Sequence, residues 1–159
     1  MGFFATLCIG TVSTMGLRPN ITDMLNESAD GDSILPAQKR ENELVTEAYV
    51  TVRRGNVRIF YTEVGGDTIE YTFSKDEPGL LTYVRKNTDG ERLFHVFEKN
   101  VRHTCVHTLG GENFELISIA ARLDNRLMTD GVLKLDYNIE AHGVKVETTE
   151  IRMTLTRNA

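Results

Sequence analysis

Three side chains able to bind a metal or activate a nucleophile stand at alternate positions in "RHTCVHTLGG": His103, Cys105 and His107. Their ligand types suit zinc. On a strand, residues two apart share a face at a spacing of about 6.5–7 Å, so the outer pair lies about 13 Å apart at Cα. Three ligands on one flat strand do not converge on one ion at about 2.0–2.3 Å. With Lys99-Asn100 as a two-residue hairpin, Val96 faces His103, Phe94 faces Cys105, and His95 points to the other side. Beyond the Gly110-Gly111 turn the same-face neighbours are Phe114 and Leu116. None of these completes a coordination shell, so no metal is assigned, and His103, Cys105 and His107 stay as weak candidates only. A neighbouring histidine would depress the thiol pKa of Cys105. Nothing else in the chain supplies an oxyanion hole or the third member of a triad. No catalytic residue is therefore assigned, and Cys105 is expected in a core position. Hairpin parity leaves open whether this face looks inward or outward.

A second constellation is spread along the chain: Tyr61, Glu63, Arg85 and Tyr137. Tyr61 and Glu63 share a face with Val57 and Ile59. Arg85 follows Leu81 and Tyr83 on one face, and Tyr137 lies with Leu133, Leu135 and Ile139. Polar groups ending apolar stripes are what the lumen or rim of a barrel displays, and a ligand pocket is an apolar hollow with a few convergent polar groups. On the functional reading, Arg85 recognises a carboxylate or phosphate, assisted by tyrosine hydroxyls. The structural alternative is an Arg85–Glu63 pair that plugs the barrel.

The elements that must position these residues are strands. The opening alternation of Phe3, Ala5, Leu7 and Ile9 reads as a first strand. From Glu43 onward, period-two segments are punctuated about every ten residues by turn residues, among them Gly55-Asn56, Gly65-Gly66, Asp89-Gly90, Gly110-Gly111 and His142-Gly143. Eight to ten such strands predict an all-β, antiparallel, up-and-down barrel, whose closure removes exposed edges. Two helical turns are expected at most, at Ile21–Asn26 capped by Asn20 and at Arg122–Met128. Residues 18–43 are polar and show no alternation. They read as a loop, with a lid carrying Ile21, Met24 and Leu25 as the alternative. "RRGN" at residues 53–56 reads as a basic hairpin tip.

The 159 residues suffice for one domain with a single core. A net charge of −5, with no long basic block, points away from nucleic acid and anionic membranes. No segment is long and apolar enough for a membrane span. Cys8 and Cys105 are the two cysteines and form no pair motif, which fits a reducing cytoplasm.

In order, several local patterns carry a family resemblance: Thr46-Glu47-Ala48-Tyr49; "IFYTE" with Tyr61 and Glu63; and Arg85 closing "LTYVRK". Gly111 with Phe114 and Leu116 follows, then Gly131 with Tyr137 in "GVLKLDYNI". In this order they resemble the YwiB-like family of small bacterial proteins, from about Glu43 to Thr156. The resemblance implies a calycin-type barrel, and with it a lumen of the kind that takes small lipophilic or amphipathic ligands. The chain departs from the family in its longer 18–43 segment and in placing Cys105-Val106 where an aromatic is usual. The expected function is therefore a non-enzymatic barrel, without cofactor, that binds a small amphipathic or anionic molecule. The alternative is an interaction or structural protein whose plugged barrel works through its surface.

Overall fold

A two-residue hairpin matches the right-handed twist of its strands when both central residues take positive φ. The chain meets this at Arg54-Gly55 (52° and 80°), Gly110-Gly111 (56° and 80°) and His142-Gly143 (51° and 76°). In the computed structural model, which describes residues 2–15 and 38–159, these and longer turns connect ten strands. The first five are β1 (Gly2–Met15), β2 (Gln38–Arg53), β3 (Asn56–Thr62), β4 (Thr68–Ser74) and β5 (Glu77–Lys86). Then follow β6 (Arg92–Glu98), β7 (Arg102–Leu109), β8 (Glu112–Arg126), β9 (Val132–Ala141) and β10 (Val144–Arg157).

Each strand pairs antiparallel with its sequence neighbours, and β1 pairs with β10 as well as with β2. The meander thereby closes into an up-and-down barrel with no free edge. This is the expected architecture, at the upper end of the expected strand number. The described residues contain no helix, and hence none long and apolar enough to cross a membrane.

Alternate residues point inward, and they are the apolar ones. Leu7, Ile59, Ile69, Leu81, Leu133, Leu135 and Met153 are fully buried and fill the middle of the lumen. The β8–β9 turn packs Leu127 and Met128 onto this cluster near Phe73 and so closes one end. In that turn the Arg126 carbonyl accepts hydrogen bonds from the Asp130 and Gly131 amides (2.8 and 2.9 Å). About eight strands make an interior that side chains just fill. Ten make a wider one, and the other end of this lumen stays partly hollow.

Three sequence expectations need correction. Arg122–Met128 is not a helical turn: residues up to Arg126 complete β8, with Leu123 opposite Leu135 and Asn125 opposite Leu133. A register shift between Ala120 and Arg122 breaks the period-two pattern, which hides the strand in the sequence. Second, β2 begins at Gln38, so residues 38–43 belong to a strand and not to the polar loop. They pair with β1 from Gln38 opposite Met15 to Glu43 opposite Gly10, yet residues 39–43 are exposed and carry no apolar alternation. The expected helical turn at Ile21–Asn26 and the lid residues Ile21, Met24 and Leu25 lie outside the described residues.

The third correction concerns β6 and β7. Glu98 pairs with Val101 across the Lys99-Asn100 turn, but further along Phe94 pairs with Val106 rather than with Cys105. The register slips by one residue between these points. A one-residue slip reverses which face a side chain joins. His95 therefore shares the interior with Cys105 instead of pointing away from it. The Ser118 hydroxyl donates to the Val96 carbonyl at 2.9 Å, and the Asn100 amide donates to the Ala120 carbonyl at 2.8 Å. Groups on β8 thus satisfy backbone polarity that the slip would leave unpaired.

Candidate functional site

The hollow end of the barrel is a cavity of about 220 Å³. Tyr61, Glu63, Arg85 and Tyr137 all line it, although they come from β3, β5 and β9 and the turn after β3. Register brings them together. Tyr61 pairs with Ile69, and Ile69 with Arg85 on the far side of β4. Glu63 lies one inward step beyond Tyr61, at the β3–β4 turn. Tyr137 comes from the other side of the barrel, opposite Thr149 on β10.

Arg85 is already engaged. Its Nη2 and Nη1 donate to the two carboxylate oxygens of Glu63 at 2.7 and 3.3 Å. Its Nε and Nη2 donate to Asp67 Oδ2 at 3.1 and 2.9 Å. The β3–β4 turn holds both carboxylates: the Glu63 amide donates to the Asp67 carbonyl at 2.8 Å. Burial pulls the Arg85 pKa down, but Tyr83, Asp67 and Glu63 outweigh it and leave the guanidinium more firmly protonated than usual. Asp67 was not among the sequence candidates. Its signal is positional, since Asp67 stands one inward step from Ile69, the residue opposite Arg85.

Two further tyrosines complete the wall, Tyr71 from β4 and Tyr83 from β5, with Phe97 of β6 between them and Tyr137. The Tyr71 and Tyr83 rings lie 5.1 Å apart at their centroids, and those of Phe97 and Tyr137 lie 4.5 Å apart. Tyr71 is buried and pairs with Tyr83 across β4 and β5. The Tyr61, Tyr71 and Tyr137 hydroxyls are held well above the usual phenol pKa and that of Tyr83 is raised, in each case first by burial. Glu63 adds to this at Tyr61 and Tyr83, where Arg85 opposes it, and Glu147 adds to it at Tyr137. Across the cavity, the buried Thr149 hydroxyl donates to Glu147 Oε1 at 3.1 Å and lies 3.2 Å from the Ser13 hydroxyl.

The His103/Cys105/His107 face looks inward. Cys105 is fully buried, and burial pushes its thiol pKa up to about 11, the reverse of what a nucleophile needs. His103 Nε2 lies 3.0 Å from Glu98 Oε1. His107 pairs with Leu93 on one side and Phe114 on the other. No group of three or more His, Cys, Asp or Glu side chains among the described residues is placed to hold a metal ion. The slip in β6 brings His95 to this interior. It is 4% exposed, stacks on Phe97 with centroids 5.4 Å apart, and its Nδ1 has no hydrogen-bond partner in the protein.

Compared with known proteins, the chain matches no family model and no curated protein. Among solved structures it is similar to the ywiB protein from Bacillus subtilis, with a TM-score of 0.63 and 14% sequence identity. The superposition covers 96% of this chain and 92% of that one. At this identity the likeness is one of fold, and it agrees with the YwiB-like resemblance carried by the order of the motifs.

Proposed function

We propose that the protein is a non-enzymatic barrel that holds a small amphipathic molecule in its open end. The observation that carries this reading is the preformed cavity of about 220 Å³, apolar below and polar at its rim. Drug-sized ligands occupy pockets of about 300–1,000 Å³, so the occupant is smaller than those. Its apolar part rests against Ile9, Leu44, Ile151 and the aromatic rings, and its polar part reaches the tyrosine and Thr149 hydroxyls. An anionic ligand would have to draw Arg85 away from both Glu63 and Asp67, which are held at 2.7 and 2.9 Å. That exchange makes the anion the weaker form of the reading.

The plugged barrel acting through its surface is the second reading. It is favoured by the fully filled middle of the lumen and by the occupied guanidinium. Native mass spectrometry of the purified full chain separates the two. The proposal expects a small molecule that leaves on denaturation, or a rise in melting temperature with small amphiphiles. A chain that carries nothing and is stabilised by none of them supports the plugged barrel instead.

A further inference from the structure

The electrostatics of the cavity select the sign of its occupant's charge. Five aromatic rings, those of Tyr61, Tyr71, Tyr83, Phe97 and Tyr137, line one small space from β3, β4, β5, β6 and β9. The face of an aromatic ring carries negative potential, and several rings around one space attract an alkylated ammonium group. The fixed charges act in the same direction. Among the described residues lining the cavity Arg85 is the one cation, and it is paired with two carboxylates, Glu63 and Asp67. A third carboxylate, Glu147, stands behind the Thr149 hydroxyl. Among the described residues around the rim these three carboxylates stand against two cations, Arg85 and the exposed Arg40 opposite Ser13, which leaves an excess of one negative charge.

Resting on the reading that this cavity is a ligand site, we propose that its occupant is a small organic cation. An alkylated ammonium group seats among the tyrosine rings, with its charge toward Glu63, Asp67 and Glu147. An ammonium of this kind keeps its charge without needing every hydrogen bond satisfied, which suits a space with five aromatic rings in its wall. A carboxylate or phosphate would meet the same rings and carboxylates with the wrong sign.

Calorimetric titration of the full chain with three probes of nearly equal shape tests the inference: choline, the neutral 3,3-dimethyl-1-butanol and the anionic 3,3-dimethylbutyrate. Choline is expected to bind at least about tenfold tighter than the neutral probe, and the anion weakest. Glu147→Gln, which leaves the Arg85 pair intact, is expected to weaken choline about threefold and leave the neutral probe unchanged. Thermal unfolding checks that the variant is folded. Tyr83→Leu serves as a second variant acting through the rings and is expected to reduce the preference for choline over the neutral probe. Equal or tighter binding of the neutral or anionic probe overturns the cation inference and leaves the cavity a ligand site. If no probe binds while native mass spectrometry shows a non-cationic molecule, the inference falls and the site stands. If no probe binds and nothing co-purifies, both fall.

Discussion

His95 makes the stability of the barrel depend on pH in a way that can be worked out from its surroundings. The ring lies inside the barrel, stacked on Phe97, with Tyr83 and Tyr137 at centroid distances of 6.0 and 6.1 Å and Nδ1 unpartnered. Burial, and secondarily the nearby His107, lowers its pKa from 6.5 to about 4. Well above pH 6.5 the imidazole is neutral in both folded and unfolded chains, and protonation costs the fold nothing. As pH falls from 6.5 toward 4 the unfolded chain takes up the proton and the folded one resists it, so stability is lost across that window. At about 1.4 kcal/mol per pH unit, the full loss is about 3 kcal/mol, of which about 2 kcal/mol has appeared by pH 5. His95→Leu removes the titrating group. At pH 7 it also removes an unsatisfied buried nitrogen, a gain of about 1–3 kcal/mol, against a lost ring stack of about 0.5–1.5 kcal/mol. The constant offset does not matter to the test. Urea unfolding of both chains at pH 7, 6 and 5 should show the variant gaining about 2 kcal/mol on the parent between the ends of that range. All other charged groups are common to both chains, so the difference between them isolates His95. A free-energy gap that stays flat from pH 7 to pH 5 would refute a buried, neutral His95.

Arg85→Met should destabilise the barrel by about 1–2 kcal/mol in chemical denaturation, more than a surface pair and less than a fully buried one, because Glu63 and Asp67 lose their shared cation at a partly exposed rim. Gly131→Ala should cost about 2–4 kcal/mol, since φ is +74° there and a Cβ would come within 2.5 Å of the Leu155 carbonyl oxygen. Gly55→Ala, at φ +80° in open space, should cost only about 1 kcal/mol, and comparing the two melting temperatures isolates the clash. Iodoacetamide at pH 8 should leave Cys105 unmodified in the folded chain and modify it in urea. A thiol near 11 is ionised to only about one part in a thousand at that pH, and its burial blocks access. Peptide mapping reads the outcome, and rapid native labelling of Cys105 would contradict its placement.

Much of the cavity wall was legible in the sequence. Alternation placed Val57, Ile59 and Tyr61 on one face and Leu133, Leu135 and Tyr137 on another; all are buried except Tyr137, which is partly buried. Naming Tyr61, Glu63, Arg85 and Tyr137 together required only that a meander of hairpins close, because closure brings polar ends of separate apolar stripes to one rim. Asp67 escaped because a carboxylate in a turn looks like any solvated turn residue until a guanidinium two strands away is seen to reach it. His95 and the continuation of β8 escaped for a shared reason. Each sits beside a register shift, and period-two reading assumes that none occurs.

The sequence by itself therefore determined that this is a barrel of hairpins, and which residues within most strands share a face. Both follow from local rules: side chains alternate along a strand, and turns need residues that tolerate positive φ. Only the tertiary structure decided that Cys105 faces inward beside His95, that Arg85 is held by two carboxylates, and that ten strands leave a hollow at one end. Those outcomes depend on where a strand slips by one residue and on how wide the closed ring becomes. Both are settled by packing across the whole barrel, which no single stretch of sequence records.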